Sequence, residues 1–304
     1  MPFVVLITGA STGIGNLTAR ALAAQGHTVY ASVRDLAGSD AAHADELLEF
    51  GHGGGHDLRV VGLDVQSEAS ADAAVSTILD EAGHLDAVVH NAGHLGVGYV
   101  EAFTIEDVQH LFDINTLGVQ RVNRAVLPHL RSRRAGTLIY VGSTTSVVLP
   151  PFMGAYVATK AAADALAQTT AYEVGQFGIE TTIVMPGPFT HGTEHFPDAS
   201  HASDVDRVGA YADLDPLVAR NEEATSALFP PDVDAHPRAV ADEIARVLAL
   251  PAGTRPFRTV VDFTDAGVDE VNEALRRAQE QFLTRLGFDD LLHVETPGRA
   301  SSPG

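Results

Sequence analysis

Thr8-Gly-Ala-Ser-Thr-Gly-Ile-Gly15 follows the apolar run Phe3-Val-Val-Leu-Ile7 and leads directly into the helical pattern of residues 13–25. A strand, a glycine-rich turn and a helix start, in that order, decide the architecture. Gly9, Gly13 and Gly15 permit a tight turn, close approach of backbone to a ligand, and close packing of helix on strand. The first turn of the helix has N–H groups without intrahelical partners and a partial positive charge, which suits a pyrophosphate. The spacing G-x-x-x-G-x-G differs from the dinucleotide fingerprint G-x-G-x-x-G.

Outward from this loop, short β-rich runs alternate with helical ones. Strands are expected over 3–8, 28–32, 58–63, 87–90, 137–142, 180–185 and 259–261. Helices are expected over 13–25, 41–50, 68–81, 105–130, 156–175, 237–250 and 268–286, with Pro128 ending or kinking one of them. The runs Val4-Val-Leu-Ile7 and Thr182-Ile-Val-Met185 are nearly all apolar, as strands buried on both faces require. The pattern predicts an α/β fold, a doubly wound parallel sheet of about seven strands, with residues 1–295 as one domain. Gly51-His-Gly-Gly-Gly-His56 reads as a flexible connector and 296–304 as a disordered tail. Residues 189–235 are long, acidic and without strand pattern, and read as a lid over a binding site.

Acidic residues number 40 against 19 Lys and Arg, for a net charge of −21. That balance argues against a nucleic-acid backbone or an anionic membrane as partner, and any phosphate must be held by local donors. Cysteine is absent, which removes disulfides, thiolate metal sites and cysteine nucleophiles together. No apolar run reaches the roughly 18 residues of a membrane span, and the N-terminal run lacks the basic flank of a signal peptide. Cytoplasmic residence is the natural expectation. Histidine pairs at four-residue spacing (His52/His56, His90/His94, His191/His195) give no convincing set of three or four ligands, so no metal is expected.

Lys160 is the only lysine in the chain and closes Tyr156-Val-Ala-Thr-Lys160. At i and i+4 of a helix, the phenol and the ammonium share one face. Asp64-Val65 follows the third strand, Asn91-Ala92-Gly93 the fourth, Ser143 the fifth and Pro186-Gly187 the sixth, with Asn115 inside a long helix. Taken with the glycine loop, this series, from about residue 3 to about 190, resembles the short-chain dehydrogenase/reductase family in its shorter, single-domain branch.

The resemblance implies a Rossmann-type sheet and hydride transfer between a nicotinamide and a secondary alcohol or ketone. Tyr156 would be the general acid/base, its pKa lowered by Lys160 and by the cofactor's positive ring. Ser143 would orient the substrate oxygen, Lys160 would also hold the nicotinamide ribose, and Asn115 would anchor a water behind Lys160. Gly9, Ser11, Thr12, Gly13, Ile14, Gly15, Asp64, Val65, Asn91, Ala92, Gly93, Pro186, Gly187 and Phe189 would contact the dinucleotide. Ser32 stands where an NAD-binding carboxylate is usual and Arg34 follows it, favouring NADP(H); Asp35 leaves NAD(H) as the second choice. The family's threonine four places past Pro-Gly is replaced by His191, with Thr190 and Thr193 both candidates to substitute. Phe189, Phe196, Tyr211, Leu214, Leu217, Leu228 and Phe229, facing Val147, Leu149 and Phe152, would give the substrate's body an apolar wall. The alanine-rich helix after Tyr156 suits a homodimer or homotetramer. Rival readings are a non-catalytic dinucleotide-sensing regulator, and an epimerase or dehydratase on the same fold.

Overall fold

The computed structural model describes residues 2–231 and 233–295, so the tail expected to be disordered, 296–304, lies outside the described residues. The first half runs β1 (Val4–Ile7), α1 (Gly13–Ala24), β2 (Thr28–Val33), α2 (Ala41–Gly54), β3 (Leu58–Gly62), α3 (Glu68–Ala82) and β4 (Ala87–His90). A two-residue strand β5 (Gly96–Val97) then precedes α4 (Ile105–Phe112), α5 (Gly118–Arg133), β6 (Gly136–Val141), α6 (Gly154–Gly175) and β7 (Ile179–Pro186). The remainder comprises β8 (Ser200–His201), α7 (Val205–Ala210), α8 (Asp215–Ala219), α9 (Asn221–Ser226), α10 (Arg238–Ala249), β9 (Arg258–Val261) and α11 (Val268–Leu286). All seven expected strands join one parallel sheet, in the order β3-β2-β1-β4-β6-β7-β9.

β1 shows why its sequence is apolar throughout. Val4 and Leu6 enter a core with Ile78 of α3 and Val126 of α5, while Val5 and Ile7 enter another with Leu22 of α1 and Ile244 of α10. Each such side chain contributes about 1.5–3 kcal/mol by leaving water. β1 pairs with β2 on one side and β4 on the other, so strand order reverses beside it. Ligands of doubly wound sheets sit at that reversal, outside the C-terminal strand ends. Among the described residues no helix is long and apolar enough to cross a membrane.

Four local expectations are corrected. The glycine-rich stretch at 51–56 is mostly helical: α2 continues to Gly54 and stops at Gly55, which has a left-handed φ of 65°. The His56 ring folds back to pack 5.2 Å from that of Phe50, closing the helix end. Pro128 does not end its helix, because Val122, Val126 and Leu130, all buried, hold α5 to the core as far as Arg133. The stretch expected as one helix over 105–130 is instead broken by a π-helical turn at Asp113–Leu117, which carries Asn115. Within 189–235, residues Ser200–His201 form a strand after all, paired in parallel with Gly96–Val97.

Gly15 lies in α1 against the loop that precedes it, and a methyl group there would overlap the Gly9 carbonyl oxygen and the Asn91 amide. Alanine in a helix normally stabilises by about 1 kcal/mol relative to glycine. Gly15→Ala is therefore expected to have the opposite sign, lowering stability by about 1–3 kcal/mol as overpacking does. Chemical denaturation of both forms checks it.

Candidate active site

A cavity of about 590 Å³ opens over the C-terminal ends of β1, β4, β6 and β7. Every residue expected at the site lines it except Gly15 and Asn115. At one end lies the glycine loop. Gly9 has φ 64° and its backbone passes so near β4 that a Cβ would lie 2.8 Å from Ala92 Cα. Thr8 Oγ1 accepts from the N–H groups of Asn91 and Ala92, and Asn91 Nδ2 donates to the carbonyls of Thr8 and Gly9. Thr12 occupies the N-cap of α1 and makes no side-chain capping bond, which leaves the first-turn N–H groups to face the cavity.

Beside the loop, Ser32 is fully buried and its Oγ accepts from Gly9 N–H at 3.2 Å. It fastens the loop rather than facing the cavity. Arg34 does line the cavity, with a largely exposed side chain 4.0 Å from Asp40. Asp35 turns away, accepting from Ser39 N–H. His43, on α2, also lines this end, with its Nδ1 unpartnered. No sequence signal marked it.

At the other end, Tyr156 and Lys160 share the inner face of α6, both buried. The ammonium lies 5.9 Å from the phenol ring centroid and donates to the Val141 carbonyl at 3.1 Å. Burial lowers the Lys160 pKa to about 8. Burial raises the Tyr156 pKa, with the Ser143 hydroxyl acting the other way. The expected lowering of the tyrosine is thus absent from the protein alone: desolvating the phenolate costs more than its surroundings return. Ser143 Oγ is itself bound by Thr145, through its N–H at 3.1 Å and its hydroxyl at 2.8 Å.

Asn115 is buried behind this pair and does not reach the cavity. Its Oδ1 accepts from His94 N–H at 2.7 Å, and its Nδ2 donates to the His94 carbonyl at 2.8 Å and to Thr159 Oγ1 at 2.9 Å. Neighbouring Thr116 donates to the Thr159 carbonyl at 3.0 Å. Two consecutive side chains of the π turn thus meet the same residue of α6. Such turns concentrate at functional sites.

Pro186, Gly187 and Phe189 close the cavity at the end of β7. Of the two candidate threonines, Thr193 lines it and Thr190 does not. A Cβ on Gly13 would lie 3.7 Å from the Thr193 side chain. His191 is exposed, 3.5 Å from Asp234. Of the expected apolar wall, Phe189, Phe196, Leu228 and Leu149 line the cavity. Tyr211 instead stacks on Tyr99 at 4.6 Å, Phe152 packs edge-on to Tyr99, and Val147 joins the core, so Leu95, Val148 and Met153 take up the wall. Tyr211, Leu214, Leu217 and Phe229 do not line it.

The profile described as short chain dehydrogenase matches residues 3–202. The chain belongs to the short-chain dehydrogenase/reductase family. It is 32% identical over 264 residues to the 3-ketodihydrosphingosine reductase of Bacteroides thetaiotaomicron, covering 86% of this chain and 88% of that one. A short-chain dehydrogenase from Streptomyces avermitilis superposes with a TM-score of 0.69 at 26% identity, over 94% of this chain and 98% of that one. A gluconate 5-dehydrogenase from Burkholderia cenocepacia, in complex with NADP and tartrate, gives 0.57 at 29% identity, over 61% and 71%. The protein is accordingly an oxidoreductase of this family on a Rossmann-type nucleotide-binding fold.

The buried ammonium has a measurable consequence. Its folded pKa of about 8 lies below the model-peptide value of 10.5, so between these values the unfolded chain binds more protons. Stability should therefore rise with pH across that window, and the penalty is complete below about pH 8. Lys160→Met is expected to be more stable than the parent at pH 7, by up to about 3 kcal/mol. The gap should shrink as pH approaches 10.5. Urea titrations at several pH values measure it.

Proposed function

We propose that this protein interconverts a secondary alcohol and a ketone with a nicotinamide dinucleotide, NADP(H) in preference to NAD(H). The observation that carries the reading is the single cavity. The loop of Gly9, Ser11, Thr12, Gly13 and Ile14 stands at one end, and Ser143, Tyr156 and Lys160 stand at the other. Between them, at the end of β4, stand Asn91, Ala92 and Gly93, while Asp64 and Val65 line the cavity from the end of β3. A dinucleotide laid along it would set its phosphates on the uncapped start of α1 and its nicotinamide near the phenol.

The bound cofactor supplies or accepts the hydride. In the reductive direction Tyr156 gives its phenolic proton to the substrate oxygen, and in oxidation it takes that proton back. Ser143 Oγ, its lone pairs and proton arranged by Thr145, donates to the same oxygen and fixes its position. Lys160 has one protein acceptor, Val141, and two N–H donors left for a ribose hydroxyl and for the electrostatics of the phenol. Asn115 acts as a positioning residue through Thr159 and the His94 backbone. The segment after Phe189 would be a lid on one domain comprising residues 1–295, and the alanine-lined outer face of α6 would be the surface of self-association. A small substrate with an apolar body suits the Leu95, Leu149, Met153 and Phe196 wall.

Two tests follow. Tyr156→Phe and Lys160→Ala should each lower kcat on a ketone panel by about 10²–10⁴-fold. Near-normal turnover by both variants would remove the assignment, whereas dinucleotide binding by the parent protein without any redox turnover would favour the sensor reading. Arg34→Ala should weaken NADP(H) binding by about tenfold or more, the value of a charge-assisted hydrogen bond, and change NAD(H) binding far less. Fluorescence titration of both reduced cofactors distinguishes them, and an equal effect on the two would overturn the preference.

A further inference from the structure

His195 belongs to the segment after β7, yet it reaches back to the phenol. Its ring centroid lies 5.8 Å from that of Tyr156, with the two planes at 67°. Its backbone N–H donates to Thr193 Oγ1 at 2.8 Å, and Thr193 stands opposite Gly13 of the glycine loop. The next residue, Phe196, packs into the apolar cluster of Leu95, Met153, Tyr156 and Val157. The imidazole is thereby held from both sides, half-buried, on the wall of the cavity.

Neither ring nitrogen makes a hydrogen bond to any described residue, and its only bond is through the backbone. Both nitrogens thus remain available to a ligand in the cavity that the ring lines. Burial, then the nearby Lys160 and His94, hold its pKa down to about 4. Near neutrality the ring therefore carries one N–H donor and one lone-pair acceptor. So weak a base does not compete with Tyr156 for the proton in flight.

We propose that His195 is a substrate-recognition residue which hydrogen-bonds a hydroxyl or amino group on the carbon next to the reacting one. With the ring centroids 5.8 Å apart, one small substrate can meet both groups, and the proposal places the atoms they address on neighbouring carbons. The preferred substrate class is then an α-hydroxy or α-amino ketone, or the corresponding vicinal alcohol, on an apolar body. This assignment rests on the reading of Tyr156 as the acid/base.

The test uses the full chain, the reduced dinucleotide, and two probes of equal length: an α-hydroxyketone and its parent ketone. The parent protein should favour the hydroxyketone by about tenfold or more in kcat/KM, the value of one hydrogen bond. His195→Phe keeps an aromatic ring against Tyr156 but no polar atom, and should abolish the preference mainly through KM. His195→Asn should restore part of it. Equal use of the two ketones by the parent protein, or a preference retained in His195→Phe, would overturn the proposal. So would a loss of dinucleotide affinity matching the loss of activity, which would assign the ring to the cofactor instead. If neither ketone is turned over at all, the underlying acid/base reading fails and the proposal falls with it.

Discussion

The site depends on one buried amide. Asn115 joins three parts of the chain that are distant in sequence: the π turn it sits in, the loop after β4 through both backbone groups of His94, and α6 through Thr159. Both of its N–H donors are used, and its carbonyl takes a third bond. An aliphatic replacement would leave the part-buried His94 N–H and carbonyl to find other partners, at a cost of up to about 1–3 kcal/mol each. More important for function, Thr159 lies between Tyr156 and Lys160 and donates to the Tyr156 carbonyl at 2.7 Å. Fixing Thr159 therefore fixes the turn of helix from which phenol and ammonium project. The regular α-helix gives way to a π turn at 113–117, from which Asn115 and Thr116 both reach Thr159.

The same amide ties the segment after β7 to the site. His94, gripped by Asn115 through its backbone, uses its ring to bond Ser200 Oγ at 2.7 Å, and Leu95 accepts from Ser200 N–H at 2.9 Å. The short pairing of β5 with β8 is thus an extension of the scaffold around the cavity. That brings Phe196 and His195 over the cavity and gives the wall its apolar character. Such a segment has little core of its own: α7 and α8 bury no residue completely. Its order comes from those bonds, from Tyr211 stacked on Tyr99, and from polar ties such as Ser203 to Asp107 and Tyr99 to Asp215.

How much of this could be read from the chain divides along the range of the interactions. The strands were legible because residues such as Val4 to Ile7, buried on both faces, leave a continuous apolar run, and the glycine loop because backbone geometry demands glycine at Gly9 and Gly13, both with positive φ. The Tyr156 and Lys160 pairing was legible because helical spacing is local. What failed, or stayed open as between Thr190 and Thr193, was whatever a distant partner decides. Asn115 in a π turn, Thr193 over Thr190, Tyr211 packed on Tyr99 rather than on substrate, and a helix persisting through Pro128 all depend on contacts made far along the chain. His195 belongs with these: its four-residue spacing from His191 gave no ligand set and no role, and the fold separates the two, one exposed beside Asp234 and the other against the phenol.

Electrostatics gives the last step. A net charge of −21 favours cations in the cleft, but burial acts on both polar groups of α6 in the opposite sense. It raises the phenol and lowers the ammonium, so each is pushed toward its neutral form, and no phenolate–ammonium pair arises in the protein alone. A neutral phenol is a proton donor, the form required to protonate a carbonyl oxygen. Running the reaction the other way requires that proton to leave against the desolvation penalty, which calls for added positive charge in the cavity. Retaining lysine at this one position fits that demand. Its ammonium is compact enough to lie within the wall, bound to Val141, and its pKa of about 8 keeps it charged at neutral pH while near enough to titration to respond to what binds beside it. A guanidinium would stay charged under any surroundings and could not share that response.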